Sequence, residues 1–145
     1  MTRIITGLRP ECDILIVTFH GGAEGAKYSH LPEGPETYLG ENRGNLREFA
    51  HRCIDLGADV VFGHGPHVTR ALELYHDRLV AYSLGNFCTT FGVNLAGVNG
   101  HAPVLVVKVD RQGRFVEGRI HSFIQTQGSG PRRDSTDSVA RHMRD

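Results

Sequence analysis

Residues 45–67 read NLREFAHRCIDLGADVVFGHGPH, and the order of patterns within them decides the fold. Leu46, Phe49, Ala50, Cys53 and Ile54 recur at helical spacing and make one apolar stripe. Asn45 stands where an N-cap belongs, and Gly57 where the chain must leave the helix. Val60, Val61 and Phe62 follow as a β-branched and aromatic run, the mark of a core strand. Gly63 lets the chain turn sharply out of the sheet. Pro66 then stiffens a turn that carries His64 and His67.

A second continuous apolar run, DILIVTFH at 13–20, lies upstream and ends at His20. Strand, helix and strand in that order predict a βαβ crossover with parallel pairing. Residues 2–11 read as the end of a helix stopped near Pro10. The glycine-rich stretch 21–44, with Pro32 and Pro35, reads as a long functional loop. Downstream, 69–75 and 78–87 flank His76-Asp77 as one hairpin, and 102–110 and 114–124 flank Arg111-Gln112-Gly113 as another. The fold class expected is α/β: a βαβ unit followed by antiparallel hairpins, in one domain over 1–125. Residues 126–145 read as a polar linker and tail with a short polar helix at the end.

The totals set boundaries. A chain of 145 residues is enough for one domain with a real core. Sixteen basic and sixteen acidic residues balance, so no overall electrostatic footprint points to nucleic acid or an anionic membrane. No apolar run approaches the roughly 18 residues that span a bilayer, and residues 1–13 lack the pattern of a secretory signal. The expectation is a soluble chain without a membrane segment, cytoplasmic by default. Cys12, Cys53 and Cys88 are widely spaced with no CxxC pair, which speaks against a zinc knuckle or a redox motif.

Chemistry gathers where the two strands end. Loops at the carboxyl ends of parallel strands form the crevice in which open α/β sheets bind ligands. Adjacent strands lie roughly 5 Å apart, so imidazoles from His20, His64 and His67 are placed to converge on one divalent metal ion. Glu24, four residues beyond His20, is a candidate catalytic carboxylate that orients a ligand or touches substrate. Arg43, just ahead of the helix, is a candidate for binding an anionic substrate. SLGNF at 83–87 reads either as a turn needing left-handed geometry at Gly85 or Asn86, or as a substrate contact through Asn86. GHGPHV is a poor dinucleotide fingerprint, because Val68 replaces the third glycine and no acidic residue follows at the ribose position. A phosphate-binding GK[ST] motif is absent.

Three stretches carry a family resemblance. HGGAE at 20–24 is similar to a His-Trp-Gly-x-Glu motif, GADVVFGHGPHV at 57–68 to a Gly-His-x-Pro-His motif, and AYSLGNF at 81–87 to a Tyr-Ser-Leu-Gly-Asn-Phe motif. Their order and spacing resemble the C-terminal half of the CapA family, associated with poly-γ-glutamate capsule synthesis and with a calcineurin-like metallophosphoesterase fold. The likeness covers roughly residues 10–125. It implies a β-sandwich and two metal ions (Mn, Fe or Zn) bridged by a hydroxide that attacks a phosphoester. It also implies His20 and His64 on one metal and His67 on the other.

The departures matter too. Gly21 stands in place of the family's tryptophan and Gly25 in place of its tyrosine. The Asp, Gly-Asp and Asn-His motifs that supply the other half of the family's coordination lie upstream of its first histidine motif, and no counterpart occurs here. The expectation is therefore a fragment that binds at most one metal weakly and turns over little. It would present an apolar sheet face to a missing N-terminal half or to a second copy. Full-length relatives are expected to be anchored or exported in some cases. Two functions follow: a metal-dependent phosphoesterase in capsule or envelope polymer synthesis, or a non-catalytic assembly factor that binds an anionic polymer with the same fold.

Overall fold

The computed structural model describes residues 1–89 and 91–144. Helix α1 spans Thr2–Leu8 and a single 3₁₀ turn at Arg9–Glu11 contains Pro10. Strand β1 is Ile16–His20, followed by a short hairpin of β2 (Glu36–Tyr38) and β3 (Glu41–Gly44). Helix α2 covers Leu46–Asp55, and β4 covers Val60–His64. Then come β5 (Leu72–Tyr75), β6 (Arg78–Ala81), β7 (Val104–Val109) and β8 (Phe115–His121). A small pair, β9 (Phe123–Ile124) and β10 (Arg132–Arg133), and helix α3 (Ser138–His142) close the chain. No helix among the described residues is long and apolar enough to cross a membrane.

The main sheet runs β1-β4-β6-β5, with β1, β4 and β6 parallel and β5 antiparallel at one edge. The α2 stripe covers one face: Leu46, Ala50, Cys53 and Ile54 pack with Ile5, Leu15, Val61, Val80 and Tyr82. Asn45 caps the helix by accepting from Glu48 N at 3.2 Å, while its own amide donates to the Glu48 carboxylate. Gly57, at φ +111°, ends it. Where β1 meets β4, Gly63 has no room for a side chain, because a Cβ would sit 2.3 Å from the Phe19 ring.

The other face of the sheet looks towards the β7–β8 hairpin across an apolar groove. Ile16, Val60 and Phe62 line one side, and Leu105, Val107 and Val109 the other. Ile16 remains 55% exposed, so this face is only partly covered. Buried Asp59 ties the layers at one end, accepting from Leu15 N at 2.8 Å, Arg9 at 2.5 Å and Arg78 at 3.2 Å.

Two stretches differ from the sequence expectation. The loop 21–44 contains the β2–β3 hairpin, because Glu36 is drawn into the interior by a charge partner described below. The segment 126–144 is no free tail. Val139, Ala140 and Met143 are buried, β10 pairs with β9, and buried Asp134 accepts from the hydroxyls and backbone N–H groups of Thr136 and Ser138. Those bonds hold the Asp134 carboxyl far below the usual carboxylate range.

A polar network braces β5 against α2 and β6. Buried Tyr82 donates its hydroxyl to Glu73, which also accepts from His51 Nε2 at 3.0 Å, and His51 stacks on Tyr75 with ring centroids 3.8 Å apart. Burial pushes the Glu73 carboxyl up, but the bonds from Tyr82 and His51 outweigh it and the net shift is downward. Burial, then the bond to Glu73, pushes the Tyr82 phenol up. Tyr82→Phe is expected to cost about 1–2 kcal/mol. Because the Glu73 carboxyl titrates lower folded than unfolded, its contribution is present above its ordinary value of 4.5 and fades as pH falls through the folded value. Urea melts of both proteins at neutral and acidic pH check this: the gap between them should narrow in acid.

Candidate functional site

The three parallel strands end together, and their exit loops are knitted by backbone hydrogen bonds. Gly21 N donates to His64 O at 2.9 Å, Gly25 N to Pro66 O at 2.8 Å, Leu84 N to Gly63 O at 3.1 Å, and Arg70 N to Ser83 O at 3.0 Å. The loops touch closely only because Gly65 and Gly21 lack side chains: a Cβ on Gly65 would lie 2.5 Å from Gly21 O.

His20 and His64 are register partners at the ends of β1 and β4, so both side chains leave the sheet on the face shared by Ile16, Val60 and Phe62. His67 lies three residues on, at φ +57°, a left-handed conformation uncommon outside glycine. Buried Asn86 holds it there: the Asn86 Nδ2 donates to His67 O at 3.0 Å and to Asn99 O at 3.1 Å. Since both of those partners are acceptors, Oδ1 is the atom that faces His67 Nδ1, at 2.8 Å. In the neutral ring of His67 the proton therefore sits on Nδ1, which leaves Nε2 as the acceptor nitrogen. Gly85 O lies 3.4 Å from His64 Nδ1 and favours the same tautomer there. The SLGNF loop thus sets the direction and tautomer of both histidines, with Gly85 in left-handed geometry at φ +66°.

The amide of Asn86, the expected substrate contact, is engaged within the protein by His67 and Asn99. Glu24 and Arg43 pair with each other at 3.3 Å, and Glu41 sits 3.2 Å from the same guanidinium. The Arg43 carbonyl accepts from Gly22 N at 3.0 Å, which attaches β3 to the loop after His20.

Two residues that sequence reading passed over hold this architecture. Arg70 and Glu36 form a buried bidentate pair at 2.8 and 2.7 Å, with side chains 0% and 3% exposed. Arg70 also donates to Tyr28 O and Ala23 O, and Glu36 accepts from Ala23 N. Through Ala23 and Tyr28 the pair also holds the loop that carries Glu24. Thirty-four residues separate the two partners, and no local pattern connects them.

The donor chemistry fits a divalent metal: an imidazole whose Nδ1 is bound to an acceptor offers Nε2 as a ligand. Among the described residues, no group of three or more His, Cys, Asp or Glu side chains is assembled to hold a metal ion.

The fold is an α/β domain whose parallel strands carry histidines at two of their ends, the edge at which open α/β sheets commonly bind ligands. The chain belongs to the bacterial capsule synthesis protein PGA_cap family, whose model matches residues 1–90. It is 32% identical over 84 residues to the PGA biosynthesis protein CapA of Bacillus subtilis, covering 58% of this chain and 19% of the relative. It is 33% identical over 75 residues to the capsule biosynthesis protein CapA of Bacillus anthracis, covering 52% and 15%. A probable polyglutamine synthesis accessory protein of Mycobacterium tuberculosis is 31% identical over 99 residues, covering 68% and 21%. The chain thus spans about a fifth or less of the length of these relatives.

Proposed function

We propose that this chain supplies the histidine side of a metal-dependent phosphoesterase centre serving the synthesis of a capsule or poly-glutamate polymer. The observation that carries the reading is the pair of acceptors, Asn86 Oδ1 and Gly85 O, set on the Nδ1 atoms of His67 and His64. A bound divalent cation in such a site lowers the pKa of water and stabilises phosphoryl oxygen charge. His20, His64 and His67 would hold it, with the remaining ligands from a partner segment or a second copy. Glu24, on the loop after His20, and Arg43, on β3, face one another at 3.3 Å. An anionic substrate that draws off Arg43 would release Glu24 for proton transfer.

The second reading is a capsule-assembly protein that handles an anionic polymer without catalysis. Among the described residues His20, His64 and His67 are not assembled into a group that could hold a metal ion, which favours it.

Calorimetric titration of the full chain with Mn²⁺ and Zn²⁺ separates these. Wild type is expected to bind, His64→Ala to lose at least about tenfold, and Asn86→Ala about 10–100-fold through the misoriented His67. Equal metal affinity in His64→Ala would remove the site. Metal-stimulated hydrolysis of a phosphodiester supports the enzyme, and metal binding with no hydrolysis supports the assembly role.

A further inference from the structure

The C-terminal third concentrates positive charge in a chain that is neutral overall. Residues 111–144 hold seven arginines against three carboxylate side chains, Glu117, Asp134 and Asp137. One of those three, Asp134, is consumed by the caps of α3.

A cavity of about 670 Å³ opens between the β5–β6 hairpin and β8. Leu79, Leu105 and Phe115 contribute its apolar lining, and Arg119, His121, Arg133 and Arg144 its cationic side. Asp137 is the carboxylate among the lining residues. Arg9, Arg43, Arg70, Arg78 and Arg114 each lie against a carboxylate. None of the three cavity arginines has such a partner among the described residues. Arg133 instead donates to His121 Nδ1 at 3.2 Å and lies over the Phe123 ring, which fixes its direction without neutralising it.

The geometry points to a groove for an extended polycarboxylate chain, its carboxylates met by Arg119, Arg133 and Arg144 and its methylenes by Leu79, Leu105 and Phe115. Guanidinium forks pair with carboxylates bidentately, and an aliphatic backbone between the charges suits an apolar floor. A nucleic acid would favour aromatic stacking platforms, and Phe115 is the single aromatic carbocycle in the lining. The inference rests on the capsule-polymer part of the function proposed above and does not involve the metal.

The test is fluorescence anisotropy of a short fluorescein-labelled polyglutamate titrated with the full chain at low salt. Wild type is expected to bind, and added salt to weaken the complex. Arg119→Gln with Arg133→Gln should weaken it about tenfold or more, and Arg119→Gln alone by a smaller factor. Arg111→Gln with Arg132→Gln, outside the cavity, should change it less than threefold by comparison. Unfolding midpoints must match wild type in each variant, and Arg119→Gln serves if the double variant does not fold. Equal affinity in wild type and the cavity variants overturns the groove while leaving polymer handling intact. Equal loss in the control pair, tighter binding of single-stranded DNA, or no binding by wild type also overturns it. The phosphoesterase reading stands or falls separately on the metal titration.

Discussion

Glu36→Ala is expected to destabilise the chain by about 3–5 kcal/mol, a drop of about 10 °C or more in the thermal midpoint. The substitution leaves Arg70 as an uncompensated buried cation with both of its forked bonds gone. It also strips Ala23 N of its acceptor, so the loop 21–28 loses one of its attachments. The cost comes from the stranded charge rather than from the pair's net worth. For that reason Glu36→Leu combined with Arg70→Met should be milder than either single change. Chemical denaturation of wild type and these four variants checks both statements. A loss below about 1 kcal/mol for Glu36→Ala would show that the pair is not dry.

Gly65→Ala is expected to cost about 3 kcal/mol or more, from two separate penalties. The backbone there has φ +126°, a region that side chains rarely adopt, and the new Cβ would meet Gly21 O at 2.5 Å and Gly21 N at 2.8 Å. Backbone cannot swing aside as a flexible side chain does. The loops after β1 and β4 must part, breaking the Gly21 N to His64 O bond and separating His20 from His64. Gly25→Ala is the control: its φ is +96° but nothing lies within 4 Å of the new carbon, so about 1 kcal/mol is expected. Equilibrium unfolding ranks the two, and histidine ring chemical shifts report whether the site opens. Equal losses would mean that backbone strain alone decides, not contact between the loops.

These expectations concern residues of unequal visibility in the sequence. Short-range order was readable along the βαβ unit and the hairpins after it. The period of Leu46, Ala50, Cys53 and Ile54 sets α2, with Asn45 and Gly57 at its ends, and the run 60–62 sets β4. His76 and Asp77 both take positive φ, which is what a two-residue hairpin between β5 and β6 needs. Even the pairing of His20 with His64 follows from two apolar runs that end in the same kind of residue.

The tail escaped that reading because its burial depends on few apolar residues. Val139 and Met143 lie among arginines and serines, and their stripe becomes apparent only with Ser122 and β9 beneath it. The Asn86 amide escaped for another reason. A polar side chain in a turn is ambiguous until its partners are known, and here His67 and Asn99 draw it inward.

Taken by itself, the sequence determined the βαβ unit, the two hairpins and the presence of three histidines near the strand ends, since periodicity, caps and turn residues act over a few neighbours. Tertiary structure alone decided that Arg70 finds Glu36, that residues 85 and 86 set the tautomers of His64 and His67, and that arginines 119, 133 and 144 share one cavity. Those choices join distant parts of the chain. They are made by the cost of burying charge without a partner, which no local pattern records.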